Sequence, residues 1–172
     1  MRQLRHITVG RCRRVRDPKK LKALVHYICS KCPDRNLLGA TKLNKILWYS
    51  DATALQMWGT PITGETYVKR QFGPVPKHIL KVIEQLESEG AIAVKSTPFR
   101  KYEKREFVSL KDPKISMFTP QEISLVDDVI NEICYNHTAT SISLASHDRI
   151  WELAEIGEDL PLEPCLLHSS MK

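Results

Sequence analysis

The feature that most constrains the fold is one long stretch of helical periodicity in the first half of the chain. Between Thr41 and Gly59, apolar residues recur at helical spacing on a wide face. A helix with such a face must be covered on several sides, so this stretch predicts a central core helix that is capped at Thr41 and ends at Gly59. Its apolar positions are Leu43, Ile46, Leu47, Ala54, Leu55 and Trp58.

Shorter patterns on both sides predict the elements that cover this helix. Asp17-Pro18 predicts the capped start of a first helix over residues 18–31. The sequence Thr119-Pro120-Gln121-Glu122 predicts a capping box at the start of a late helix. The Ser- and Thr-rich residues 138–143 are expected to form a connection that leads to Ser146-His147-Asp148, and a last helix is expected to run through Trp151 to Ile156.

A helix, three strands and a basic turn are predicted in the middle of the chain. Residues 65–72 favour a short strand, and Gly73-Pro74-Val75-Pro76 favours a rigid turn or a recognition loop whose second proline starts a helix. Residues 92–95 and 105–110 then favour two strands around a basic turn. The succession of helix, short strand, basic loop and strand is the outline of a winged-helix module. The predicted fold class is α+β and predominantly α-helical, a single domain with a small antiparallel sheet and a winged-helix-like central segment.

The positive charge of the chain is concentrated in an N-terminal arm. Residues 1–22 hold nine of the 26 Lys and Arg residues and one acid, although the whole chain has a net charge of +6. Such an arm contacts nucleic acid or an acidic partner electrostatically, or it stays a solvated extension, and both interpretations remain open. We predict an arm over residues 1–16, one domain over 17–168 and a tail over 169–172.

The sequence favours a cytoplasmic protein without a membrane partner. No window approaches the roughly 18 uninterrupted apolar residues of a membrane-spanning helix, and no apolar segment of a secretory signal follows the basic N-terminus. The odd number of cysteines, five, is typical of reduced thiols.

Two lines of chemistry are considered and set aside on residue spacing. Three thiols and one imidazole would suit tetrahedral zinc, but the helices predicted to carry them lack the turns that usually hold such ligands. We therefore expect no metal and no cofactor, and a zinc site is the alternative that stays open. The four residues concerned are Cys29, Cys32, Cys134 and His137. No phosphate loop, nucleophile elbow or HExxH motif is present, and nothing in their spacing makes Asp51, Glu65, Ser146 and His147 converge, so we expect no catalytic residues and no enzyme. A small hydrolase that uses His147 and Asp51 is the weakest hypothesis.

Residues 42–78 carry three linked motifs. They read K-L-x-K-hydrophobic-L-aromatic-aromatic-small-acid, then G-x-P-I-x-G, then an aromatic and basic segment that closes on G-P-V. The matching positions are Lys42, Leu43, Lys45, Leu47, Trp48, Tyr49 and Asp51; Gly59, Pro61, Ile62 and Gly64; and Gly73, Pro74 and Val75. Together with the late Ser146-His147, Trp151 and Gly157, this signature resembles the Panacea domain family, the antitoxins similar to SocA. The family commonly has Tyr at the position of Trp48, and the basic arm is no part of its pattern.

The resemblance implies a non-enzymatic antitoxin of a toxin–antitoxin system, of a kind associated with phage defence. Such a protein neutralises a cognate toxin by direct protein–protein binding, and some relatives act as adaptors that deliver the toxin to a protease, such as a Clp-type machine. We expect toxin contact on the surface of the motifs, at Lys42, Lys45, Tyr49, Asp51, Glu65 and Tyr67. The alternative is that these residues only hold the long helix against the strand.

The residues alone also support a second hypothesis, a DNA-binding transcriptional regulator. Cations of the arm and of the predicted wing would contact phosphates of operator DNA. The candidates are Arg11, Arg13, Arg14, Arg100, Lys101 and Lys104. Both functions can coexist, since antitoxins can repress their own operon.

Two pairs of residues on the long helix, one aromatic and one basic, are interpreted structurally. Trp48 and Trp58 share the spacing of the apolar face of the long helix, so we interpret both as core residues in preference to a partner-binding hot spot. Lys42 and Lys45 are expected on its polar, solvated side.

Overall fold

The computed structural model describes residues 15–32 and 37–162. This part contains six helices, α1 (Pro18–Lys31), α2 (Ala40–Trp58), α3 (Ile79–Ser88), α4 (Pro120–Asn136), α5 (Ala139–Ala145) and α6 (Arg149–Leu153). It also contains five strands, β1 (Tyr67–Arg70), β2 (Gly73–Pro76), β3 (Ile92–Phe99), β4 (Tyr102–Ser109) and β5 (Asp159–Leu160). The predicted fold class, a single α+β domain that is mostly helical with small antiparallel sheets, is confirmed.

Helix α2 lies at the centre, as its wide apolar face predicts. It packs against α1, α4, α5, β2 and β4, and most of its residues between Lys42 and Ala54 are buried. The predicted cap at Thr41 is wrong, because the helix begins at Ala40 and its N-cap is Gly39, whose extended backbone bridges to Glu106 of β4. The core prediction holds for Trp48 but is wrong for Trp58, which is 41% exposed because the last turn of α2 runs beyond the packed layers.

The predicted caps of the two flanking helices are confirmed. The Asp17 side chain accepts hydrogen bonds from the backbone N–H groups of Lys19 and Lys20, each at 3.0 Å, and Pro18 occupies the first turn of α1. At α4 the side chains of Thr119 and Glu122 each accept the other residue's backbone N–H. These bonds satisfy donors that a helix start leaves unpaired, so local sequence alone fixes both starts.

The segment Gly73–Pro76 is a strand, not a turn or a recognition loop. It pairs antiparallel with β1, which in turn pairs with β5, so the sheet order is β2-β1-β5. Strand β2 is an edge strand, with β1 as its neighbour on one side. Proline, which has no N–H to donate, is tolerated there because no strand pairs with the other side. The following helix therefore begins at Ile79 with His78 as N-cap, three residues after the predicted start.

The hairpin of β3 and β4 is longer than the sequence predicts. The pairing continues to Phe99 opposite Tyr102, so the turn consists of Arg100 and Lys101, with Arg100 at a φ of +53°. The succession α3, β3, β4 follows the predicted outline, while the likeness to a winged-helix module stays a prediction.

The C-terminal third departs from the prediction in two elements. Residues 138–143, expected to be a connection, lie mostly in α5, which starts with a capping box between Thr138 and Ser141 and packs against α2. Helix α6 ends at Leu153, earlier than predicted. Within the described residues, no helix combines the length and the apolar character that a bilayer crossing requires.

Candidate functional site

The six residues predicted to contact a toxin all lie below the surface. Four project from α2 and two from β1 and the segment before it, and none is more than 7% exposed. They are Lys42, Lys45, Tyr49, Asp51, Glu65 and Tyr67. A partner cannot reach side chains so placed in this conformation, and toxin contact at these six positions stays a prediction. The alternative, in which such residues hold the long helix against the strand, fits the bond between Asp51 and Tyr67, whereas Lys42 bonds to α4.

Asp51 is the centre of a buried hydrogen-bond cluster. Its carboxylate accepts the backbone N–H of Thr63 at 2.7 Å, the Thr63 hydroxyl, and the Tyr67 hydroxyl at 2.8 Å. Complete burial raises the pKa of Asp51 above its ordinary value, and the three donors oppose that shift. The Trp48 ring packs edge-on against Tyr67, with centroids 5.0 Å apart. The acid of the first motif therefore binds the G-x-P-I-x-G segment to α2.

Glu65 anchors the start of the described chain to the same segment. Its carboxylate accepts from the backbone N–H of Thr66 at 2.6 Å, from His78 Nδ1 at 3.0 Å, and from Arg16 Nε at 3.3 Å. Gly64 has a φ of +64°, and a Cβ there would lie 2.6 Å from the carbonyl oxygen of Val15. A glycine is thus required where the chain before α1 crosses this turn.

Three buried lysines hold other segments through backbone carbonyls. Lys42 Nζ donates to Cys134 O of α4, Lys45 Nζ to Pro74 O of β2, and Lys69 Nζ to Ala154 O just after α6, each at 3.0 Å. The expectation that Lys42 and Lys45 are solvated is therefore wrong. The apolar pattern of a helix assigns lysine to the outside, whereas these ammonium groups meet carbonyls that are remote in sequence.

The late Ser-His motif packs on this framework. Ser146 is buried and donates to Ser143 O at 2.7 Å, and the His147 ring stacks on Trp151 with centroids 3.6 Å apart. Burial, together with the positive charges of Lys45 and Lys69, lowers the pKa of His147. Among the described hydrogen bonds, none joins His147 to Asp51 or Glu65, and the hydrolase hypothesis stays untested.

The cysteine and histidine residues of the zinc alternative are only partly brought together. Cys32 Sγ and Cys134 Sγ lie 3.0 Å apart in the core, and burial raises the pKa of the nearby Cys29 to about 12. His137 instead faces Ser141 Oγ at 3.1 Å and Glu132 Oε1 at 3.4 Å. No cluster of three or more potential metal ligands occurs among the described residues.

The candidate DNA contacts divide into two groups. Arg11, Arg13 and Arg14 lie outside the described residues. Arg100 and Lys101 are exposed at the turn of the β3–β4 hairpin, whereas Lys104 is half-buried with its Nζ 3.1 Å from Glu106 Oε1. DNA contact by these residues stays a prediction.

The structure also reveals a surface that sequence reasoning missed. Phe72, Phe99 and Tyr102 are 42%, 58% and 55% exposed, and the rings of Phe72 and Tyr102 meet edge-to-face at 5.5 Å. Phe72 also borders an open groove of about 900 Å³ beside α6, which we call the α6 groove. Its lining residues are Lys69, Arg70, Gln71, Phe72, Trp151, Ala154, Glu155 and Ile156. Aromatic residues among the bases of the hairpin were the available signal, but the contact between Phe72 and Tyr102 depends on the tertiary fold.

Comparison with known proteins identifies one family. The family model described as antitoxin SocA-like, Panacea domain, matches residues 43–152. Neither a curated protein nor a solved structure gives a significant match. The matched segment extends from α2 to α6, contains both Asp51 and Glu65, and covers more than half of the chain. The chain therefore belongs to the SocA-like antitoxin family that carries the Panacea domain.

Proposed function

We propose that this protein is the antitoxin of a toxin–antitoxin system and neutralises its cognate toxin by direct protein–protein binding, without a catalytic step. Family membership is the observation that carries the proposal. We place the activity in the cytoplasm and, following the family resemblance, in phage defence. Neutralisation by binding requires a stable body and a complementary surface, and it requires no reactive group.

The internal organisation of the domain supports this proposal. The chemically versatile side chains of Asp51, Glu65 and Lys45 are each buried and bonded to another segment of the chain. The large apolar side chains of Phe72, Phe99 and Tyr102, in contrast, are exposed next to one another. Exposed aromatic residues beside a groove are typical of protein-binding surfaces.

Co-expression with the neighbouring open reading frame tests the proposal. We expect the neighbour alone to arrest growth of a bacterial host, and this protein to restore growth and to co-purify with the neighbour's product. Growth arrest that persists in the presence of this protein would refute the antitoxin function.

A host that lacks Clp-type proteases separates two modes of neutralisation. Direct blocking by a bound antitoxin restores growth in that host as in the parent strain. An adaptor depends on degradation of the toxin, so it restores growth only where the protease is present. We expect restoration in both hosts.

A DNA-binding regulator is the second candidate, favoured by the exposure of Arg100 and Lys101 at the hairpin turn. Binding of duplex DNA from the promoter of its own operon is measured by fluorescence anisotropy at several salt concentrations. If the protein contacts several phosphates, its affinity for DNA falls steeply as the salt concentration rises. A plot of log binding constant against log salt concentration then has a slope of roughly −0.9 per phosphate contacted. An unchanged affinity across the series, or no binding at low salt, argues against this function.

A further inference from the structure

The α6 groove combines an electropositive floor with an apolar rim. Lys69 is buried beneath it, with its Nζ 4.0 Å from the centroid of the Trp151 ring. The ammonium is held there by the carbonyls of Ala154 at 3.0 Å and Glu152 at 3.4 Å. Among the ion pairs of the described residues none involves Lys69, so the charge of its ammonium contributes to the field in the groove.

The charges that face the groove favour an acidic occupant. Among the described residues that line it, Lys69 and Arg70 are cationic, and Glu155 is the one acid. Arg70 is exposed at the rim. Burial is the main cause of the lowered pKa of His147, which stacks on Trp151; the charges of Lys45 and Lys69 add to this shift, and Glu152 opposes it. A carboxylate of a partner would therefore gain attraction here, whereas an additional cation would be repelled.

Exposed apolar side chains also line the groove. Ile156, which is 63% exposed, and Phe72 both line it, and the Phe72 ring meets that of Tyr102 in the β3–β4 hairpin. The carbonyl of Phe72 accepts a hydrogen bond from Ser143 Oγ at 3.0 Å, so the backbone that carries its ring is held against α5. A surface that is apolar and held in place loses little conformational entropy when a partner binds.

We propose that the α6 groove, together with the aromatic side chains of Phe72 and Tyr102, is the surface that binds the toxin, and that it receives a protein segment with apolar side chains beside carboxylates. This inference rests on the proposed antitoxin function. Nucleic acid fits less well, because exposed aliphatic area such as that of Ile156 gains nothing from a phosphate backbone. A protein segment uses both the apolar area and the cations.

Two charge-introducing variants with matched controls test the location. Ile156→Glu places a carboxylate in the apolar rim, and Arg70→Glu reverses the charge at the groove. Leu80→Glu and Lys81→Glu are the controls, because both residues are exposed on α3, which packs on α1 and β3. All four positions are exposed, so circular dichroism and thermal unfolding of each variant should match those of the wild type.

Affinity for the product of the adjacent open reading frame is measured by titration calorimetry, together with growth rescue. We expect each groove variant to weaken binding about tenfold or more and to lose rescue, while both controls stay within about twofold of the wild type. Wild-type affinity in both groove variants would overturn the groove as the binding surface and leave the antitoxin function intact. A wild-type protein that neither binds nor rescues would instead refute the antitoxin function and this inference with it.

Operator DNA in the same assay addresses the other class of macromolecule. Weaker DNA binding by the groove variants, with unchanged toxin binding, would assign the surface to nucleic acid and overturn the proposal. We expect the groove variants to bind DNA as the Leu80→Glu and Lys81→Glu controls do.

Discussion

Replacing Asp51 with alanine should destabilise the fold rather than remove a toxin contact. The carboxylate is fully buried and accepts three hydrogen bonds, from the backbone N–H of Thr63, the Thr63 hydroxyl and the Tyr67 hydroxyl. Asp51→Ala leaves these donors without their acceptor. A buried donor that loses its partner costs about 1–3 kcal/mol, although a hydroxyl can rotate toward another acceptor.

The expected net loss is about 2–4 kcal/mol in the free energy of unfolding. The N–H of Thr63 cannot turn away, and at least one of the two hydroxyl groups is left without an equivalent acceptor. Part of this cost is offset, because the variant no longer buries a carboxylate whose pKa burial has raised. For a domain of this size the loss corresponds to a decrease in Tm of roughly 5–15 °C.

Urea and thermal unfolding, followed by circular dichroism, measure this effect. Asp128→Ala is the matched control, because Asp128 is exposed on α4 and its removal should change the free energy by less than about 0.5 kcal/mol. Asp51→Asn keeps one acceptor oxygen and should lie between the wild type and Asp51→Ala. If Asp51→Ala unfolds like the wild type but no longer binds toxin, the assignment of Asp51 to the scaffold is wrong.

Three further predictions concern a glycine, a histidine and a thiol pair. In thermal unfolding, Gly73→Ala should lower the free energy of unfolding by about 3 kcal/mol or more, because the residue has a φ of +102° and the added Cβ would overlap buried side chains. Gly59→Ala is the comparison: its φ is +75° but the space around it is open, so the loss should be about 1–2 kcal/mol. The pKa of His147 is lowered in the folded state, so below about pH 6.5 the unfolded chain binds the extra proton and the free energy of unfolding should fall. In urea titrations, the free energy of unfolding should therefore differ less between pH 5 and pH 7.5 for His147→Gln than for the wild type. An equal difference in both proteins would contradict this. Dilute hydrogen peroxide should oxidise Cys32 and Cys134 to a disulfide, with the two thiol hydrogen atoms leaving in water. The disulfide closes a loop of about 100 residues and should raise the free energy of unfolding by at most about 4.7 kcal/mol. Mass spectrometry that finds both thiols free would refute this.

The elements that the sequence predicts correctly are those fixed by neighbouring residues. The caps at Asp17 and Thr119 bind donors two or three residues away, so their geometry is contained in a few positions. The apolar face of α2 likewise repeats within one helix and predicts its central place. Family membership follows from the spacing of the motifs, and the matching family model confirms it.

The errors arise where a distant segment decides the outcome. Pro74 marks a turn in the local sequence, yet it lies in an edge strand because β1 is available to pair with it. Lys45 appears solvated on the helix pattern, yet its ammonium meets the Pro74 carbonyl 29 positions away. The Ser- and Thr-rich α5 gains its stability from a capping box and from contact with α2. None of these partners can be identified from spacing along the chain.

The placement of the signature residues separates two roles within the antitoxin domain. Asp51 and Glu65 bind other segments of the same chain, so we expect a change there to alter the proposed toxin binding only through the fraction of protein that is folded. Arg70 and Ile156 are exposed at the α6 groove, so a change there should alter binding while the Tm stays constant. Variants that lose neutralisation should therefore fall into two classes when Tm is plotted against affinity. Because these scaffold residues occupy the family motifs, we expect the proposed toxin contact at exposed positions such as Arg70 and Ile156.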